Sequence, residues 1–167
     1  MAEVIAWVQA APPVAADGFH TVTRDGTSTD LDGGIAFVTP SGVSKCVTDG
    51  RAGGALTCLV ELSDPPPRPP EVYGEWKGGW VDFPGPELTV GSAHADAGPF
   101  ANGFGVELPY GQALSFGDYR CRTDPDGLFC VNYAHQSAVK LSDGGVEPFG
   151  CLRPTAAPPD AGVQLRC

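Results

Sequence analysis

Glycine or proline stands at nearly one position in four of this chain, 23 and 17 of its 167 residues, about twice average usage. In a helix interior glycine costs about 1 kcal/mol relative to alanine and proline about 3 kcal/mol. A helical bundle is therefore excluded, and strand-and-loop folds remain. The chain is nonetheless a folding one: 42% hydrophobic and 18% charged is too apolar and too sparsely charged for a disordered segment. Its length suits a single domain.

Six cysteines stand at 46, 58, 121, 130, 151 and 167. There is no CxxC pair, and His20, His94 and His135 do not fall at the short spacings zinc ligands use, so a metal site is not expected. Three disulfides are, and with them an oxidising compartment outside the cytoplasm. Cys46 and Cys58 flank VTDGRAGGALT, and Cys121 and Cys130 flank RTDPDGLF. Each insert carries turn residues and then apolar ones, the pattern of a hairpin stapled across its strands. Cys151 is left to pair with Cys167 over the RPTAAPPDAG segment.

Export calls for a leader. Residues 1–11 (MAEVIAWVQAA) have an apolar stretch but no basic n-region and are too short to span a bilayer, so Met1 is expected to follow a removed signal or lipid anchor. No transmembrane span is expected within the chain. Twenty acidic against ten basic residues give a net charge of -10. With lysine only at 45, 77 and 140, the clustered cations that nucleic acid or an anionic membrane would require are missing.

Along the chain the reading is mainly β, an antiparallel sandwich or barrel of short strands with a short N-terminal helix. A helix over 2–10, with Val4, Ile5 and Val8 on one face, ends at Pro12 and Pro13. A polar, turn-rich lead-in follows to residue 34. The β domain is expected over 35–151, with strands near 35–39, 44–48, 55–62, 80–83, 87–90, 103–108, 113–116, 118–123, 128–133 and 137–141. Such spacing, with Gly, Pro and Asp between runs, suits sandwiches and barrels. Residues 152–167 are expected as a Pro- and Ala-rich tail stapled back by its disulfide. PPPRPP at 65–70 must be extended, because each proline lacks a ladder donor and restricts the residue before it. It reads as a stiff crossover within one domain.

The string FVTPSGVSKC (Phe37, Thr39, Pro40, Ser41, Gly42, Cys46), the later ELPYGQALSFGDYRC (Leu108, Pro109, Tyr110, Gly111, Cys121) and RTDPDGLFCVNYAHQSAVKLS (Gly127, Leu128, Cys130, Asn132) are similar to a family of secreted proteins and lipoproteins of actinobacteria, including mycobacteria. Its elements are F-x-[TS]-P-S-G ending in Cys, L-P-Y-G, and a Cys followed by G-[LV]-x-C-x-N. The resemblance covers roughly 35–141 and implies an extracytoplasmic location and this architecture. The family carries no assigned activity and so supplies no catalytic residue. The tract at 94–96 lacks a cysteine of the family pattern, and Gln136 with Ser137 replaces its glycine-rich ending.

Four constellations bear on function. Ser28, Asp30, Asp32 and Gly33 partly match a calcium loop, but Thr39 stands where the bidentate Glu belongs, which makes this an acidic turn. Tyr73, Trp76 and Trp80 (YGEWKGGW) offer flat apolar faces for a sugar ring or a protein, and this tract is the expected contact surface. Within it, Trp76 is expected toward solvent between Glu75 and Lys77, and Trp80 inward beside the 81–83 strand. The proline run has PxxP spacing, read as a rigid spacer because domains that recognise it are mainly intracellular. No G-x-S-x-G turn and no phosphate loop is present. The expectation is an exported cell-envelope protein that binds a protein, glycan or lipid without catalysis or cofactor. The alternative is a small secreted hydrolase acting on cell-wall material.

Overall fold

The period-two pattern of a half-buried strand is clearest where the chain reads YRCRTD: Tyr119, Cys121 and Thr123 are buried while Arg120, Arg122 and Asp124 are not. The computed structural model, which describes Met1–Cys167, contains fifteen strands and one α-helix. Helix α1 (Ala2–Gln9) leads into a hairpin of β1 (Thr21–Arg24) and β2 (Thr27–Asp30). Then come β3 (Ala36–Val38), β4 (Ser44–Asp49), β5 (Ala55–Val60), β6 (Glu75–Phe83), β7 (Glu87–His94) and the two-residue β8 (Val106–Glu107). A meander of β9 (Ala113–Phe116), β10 (Tyr119–Asp124), β11 (Gly127–Asn132), β12 (Ser137–Ser142) and β13 (Gly145–Gly150) follows, and β14 (Arg153–Thr155) and β15 (Ala161–Arg166) close the chain.

Two sheets pack face to face. One is the five-stranded meander, and the other has eight strands in the order β14-β15-β7-β6-β5-β4-β3-β8, antiparallel except for the β3–β8 pair. Neither closes on itself, so the expected choice between sandwich and barrel resolves as a sandwich. The main core lies between them, where Phe37, Leu56, Val81, Phe83 and Leu88 meet Leu114, Leu128, Val139 and Leu141.

All three disulfides pair as the spacing predicts. Cys46 faces Cys58 and Cys121 faces Cys130 at directly opposed ladder positions, each with Cα atoms 4.1 Å apart as a non-hydrogen-bonded antiparallel pair allows. Both bridges belong to the core. The third joins the segment after β13 to the end of β15, and so ties one sheet to the other.

Two segments are more deeply integrated than the chain's local character suggests. Residues 152–167 supply β14 and β15, and β15 is inserted between β14 and β7. In the lead-in, Phe19 enters the main core and Val22 a second cluster. Strands β6 and β7 are also longer than expected, and their register shifts between Lys77 and Val81. At Gly79, inside that bulge, an added Cβ would lie 1.9 Å from the Val60 carbonyl oxygen, so only glycine permits the close approach. Each sheet has an outer cover: α1 packs Val8 against Val131 and Ala138 of the smaller sheet, while Val22 and Phe100 pack on Ala36, Val47 and Trp80 of the larger. No helix is long and apolar enough to cross a membrane.

Candidate functional site: an aromatic cleft on the larger sheet

Beyond the bulge, β6 alternates again. Val81 and Phe83 enter the main core, and Trp80 and Asp82 take the outer face. Trp80 is 3% exposed. Its indole stacks on His94 of β7 with ring centroids 3.6 Å apart and planes at 27°, and Phe100 meets it edge-on at 5.3 Å. The indole N–H is not wasted. Trp80 Nε1 donates to both carboxylate oxygens of Asp82 at 3.2 Å, and Thr57 Oγ1, opposite Asp82 in the β5–β6 ladder, donates to Oδ1 at 2.8 Å. The carboxylate is thus oriented by two neighbours.

His94 Nε2 and Ser92 Oγ are hydrogen-bonded at 2.8 Å. Burial holds the His94 imidazole below the usual histidine range, an effect that outweighs the opposing charge of nearby Asp82. Around this floor stand two loop walls. One is the β4–β5 turn with Asp49, Gly50 and Arg51, braced where the Arg51 amide donates to Asp49 Oδ1 at 2.9 Å. The other carries Gly98, Pro99, Ala101 and Asn102, and Arg24 of the hairpin donates to the Ala101 carbonyl at 2.8 Å. Between them lies a cleft of about 670 Å³, within the span typical of small-molecule sites. The floor is apolar and aromatic. The rim offers a carboxylate, a guanidinium and an amide, a combination that can hold a polar, hydrogen-bonding molecule in a defined orientation.

The three aromatic residues singled out in the sequence do not share one surface. Tyr73 is 95% exposed in the turn before β6. Trp76 is half-buried: its Nε1 donates to the Pro66 carbonyl at 2.9 Å, and its ring lies against Gly91, where an added Cβ would meet it at 2.9 Å. The solvent-facing position suggested by Glu75 and Lys77 is thus only half realised, because the proline run folds back onto the indole. Trp80 packs inward, as its neighbours imply, but into the second cluster and not the main core.

Nothing in the spacing of Asp82, His94, Arg51 and Asn102 marks the four as parts of one site. Asp82 was legible in principle, two residues after Trp80 in a strand and so on its face. His94 was not: the Pro84–Pro86 turn makes β6 and β7 a hairpin, but the register shift between Lys77 and Val81 that sets His94 beside Trp80 leaves no mark in the local sequence. The other histidines lie elsewhere, with His20 Nδ1 bonded to the Gly34 carbonyl at 2.8 Å and His135 to Asn132. The calcium-like segment is a turn in which Asp30 Oδ1 accepts from the Asp32 amide at 2.6 Å, with Asp32 and Gly33 at φ 51° and 84°. No protein-family model, curated protein or solved structure matches the chain.

Proposed function

We propose that this is an exported cell-envelope protein that binds a polar envelope ligand, a glycan fragment above all, in the Trp80–His94 cleft without chemistry of its own. The observation that carries the reading is the preorganised floor: an indole locked between His94 and Phe100 that itself orients the Asp82 carboxylate. Groups held this way lose little freedom on binding. Three disulfides support an oxidising compartment. The similarity of residues 35–141 to secreted actinobacterial proteins and lipoproteins supports the envelope as the setting.

The test is titration of the protein with soluble peptidoglycan and arabinogalactan fragments, followed by NMR at the Trp80 indole N–H and the amides of Arg51 and Asn102. Saturable shifts there are expected, with at least tenfold weaker binding in Arg51→Ala/Asn102→Ala at an unchanged melting temperature. Fragments of both polymers that leave these signals unmoved would sink the proposal.

A hydrolase remains the second reading, because Ser92 and His94 stand at the distance of a nucleophile and its base, with Asp82 close by. Against it, Ser92 is no part of the cleft lining. It lies within β7, paired on both sides by Lys77 and Ala161, where its hydroxyl serves to orient the imidazole. Turnover of a cell-wall fragment that disappears in Ser92→Ala would favour the hydrolase.

A further inference from the structure

The proline run is neither a loose linker nor a buried strap. Pro65–Pro69 contains no turn or bend, its prolines hold themselves and the residues before them to the extended region, all its peptide bonds are trans, and its burial has a period of three. Pro66 and Pro69 are half-buried, while Pro65, Pro67, Arg68 and Pro70 are exposed. Three residues per turn is the repeat of a polyproline II helix, so residues three apart share an edge. One edge, Pro66 and Pro69, lies on the fold. The other two, Pro67 with Pro70 and Pro65 with Arg68, are exposed apart from the flank of Pro65 that lies against Gly78.

The fold is shaped to hold this ridge. Trp76 Nε1 donates to the Pro66 carbonyl. Two strand glycines make room for the rings: an added Cβ would sit 2.6 Å from Pro65 Cβ at Gly78 and 2.5 Å from Pro66 Cβ at Gly162. At the far end Arg68 Nη2 donates to the Val72 carbonyl at 2.5 Å, and Glu71, with φ at 63°, turns the chain toward the fully exposed Tyr73.

We propose that residues 65–70 are more than a rigid spacer: they are a preformed polyproline II ligand that docks into an aromatic-lined groove of a partner protein in the same compartment. What the ridge requires is the chemistry of the groove and not the mainly intracellular domain families in which such grooves are common. Grooves of that chemistry take up the two solvent-side edges of such a helix, with prolines three apart filling the slots between rings. Pro67 and Pro70 have that spacing, and Arg68, the one cation between Asp64 and Glu75, stands on the adjoining edge where an acidic groove end would meet it. Because the helix is already formed and pinned, docking does not have to order it. This surface is separate from the cleft and does not depend on the reading given to it.

The probe is a set of isolated SH3 and WW domains, chosen only as grooves of known aromatic chemistry, added to the full-length isotope-labelled protein. Saturable NMR shifts are expected at the amides of Arg68, Glu71, Val72 and Tyr73. Pro67→Ala/Pro70→Ala is expected to weaken binding at least tenfold while the melting temperature stays put, and Arg51→Ala in the cleft to leave it unchanged. The proposal is overturned if no domain of either type moves those amides, or if the double variant binds as tightly as the unaltered protein.

Discussion

On the outer face of the smaller sheet α1 lies flush, whereas the larger sheet is covered only in part, by Val22 of the hairpin and Phe100, and two loops beside them leave a cleft. The helix meets its own backbone hydrogen bonds except at its ends, and arginines of β10 close the C-terminal one. Arg122 Nη1 donates to the Trp7 carbonyl at 2.6 Å, and Arg120 Nη2 to that of Ala11 at 2.9 Å, cations where the helix dipole favours them. Arg122 also stacks 3.6 Å from the centre of the Trp7 ring, whose other neighbour is Phe129 at 4.7 Å. Residues 12–14 continue along β9, with Val14 donating to the Ala113 carbonyl and Ala113 to that of Pro12, which covers a sheet edge. Loops over the larger sheet have no internal ladder. Their backbone groups need side chains or solvent, and the cleft above the aromatic floor leaves room for either. A face closed by a helix leaves no space above the sheet, and a face closed by loops keeps a cleft there.

The largest test of this contrast is Trp80→Ala. Removal of a buried aromatic of this kind costs about 3–5 kcal/mol, and thermal unfolding should show the open face losing more than any single truncation under α1. A melting temperature that barely moves would show that the cleft floor is no second core. Val8→Ala, at a fully buried site, is expected to cost about 2 kcal/mol. Since an eight-residue helix is not stable alone, amide exchange should accelerate throughout α1 while β11 and β12 stay protected. Exchange that rises equally in both would mean that helix and sheet unfold as one unit.

Arg122→Lys comes next. The charge is kept but the planar stack on Trp7 is lost, for about 1 kcal/mol, and the Trp7 indole signal should shift while that of Trp80 does not. The smallest effect is one of pH. Burial lowers the folded-state pKa of His94, so the unfolded chain takes up that proton at higher pH than the folded one. Stability from this group is full above the ordinary histidine value of about 6.5 and falls as pH drops below it, until the folded-state value is passed. Denaturant midpoints measured across that range should slope less in His94→Phe. An unchanged slope would remove His94 as its source.

Much of this was legible along the chain. Cys46 with Cys58 and Cys121 with Cys130 could be paired because each pair brackets turn residues within a dozen positions, and β9 lies where its apolar run stands. Pro12 and Pro13 end α1 as expected. Strands β13 and β14 were not legible. Pro148 and Pro154 sit within them, and proline is tolerated there because both are edge strands, a fact of topology and not of local composition. For the candidate site, the inward packing of Trp80 follows from its place beside the 81–83 strand. His94 stands across the β6–β7 hairpin from it in a register shifted by the bulge, and Arg51 and Asn102 reach the cleft from two distant loops, which no local window joins.

The difference has one physical root. Turns, hairpin staples, the extended proline run and the exclusion of a helical bundle follow from steric and hydrogen-bonding preferences of neighbouring residues, and the sequence by itself determined them. The order of the larger sheet, the insertion of β15 beside β7, the threefold burial of the proline ridge and the cleft over Trp80 were decided only by the tertiary structure. They rest on pairings between distant segments, and those are selected by which faces bury together at an acceptable loop-closure entropy, a property of the whole chain and not of any stretch of it.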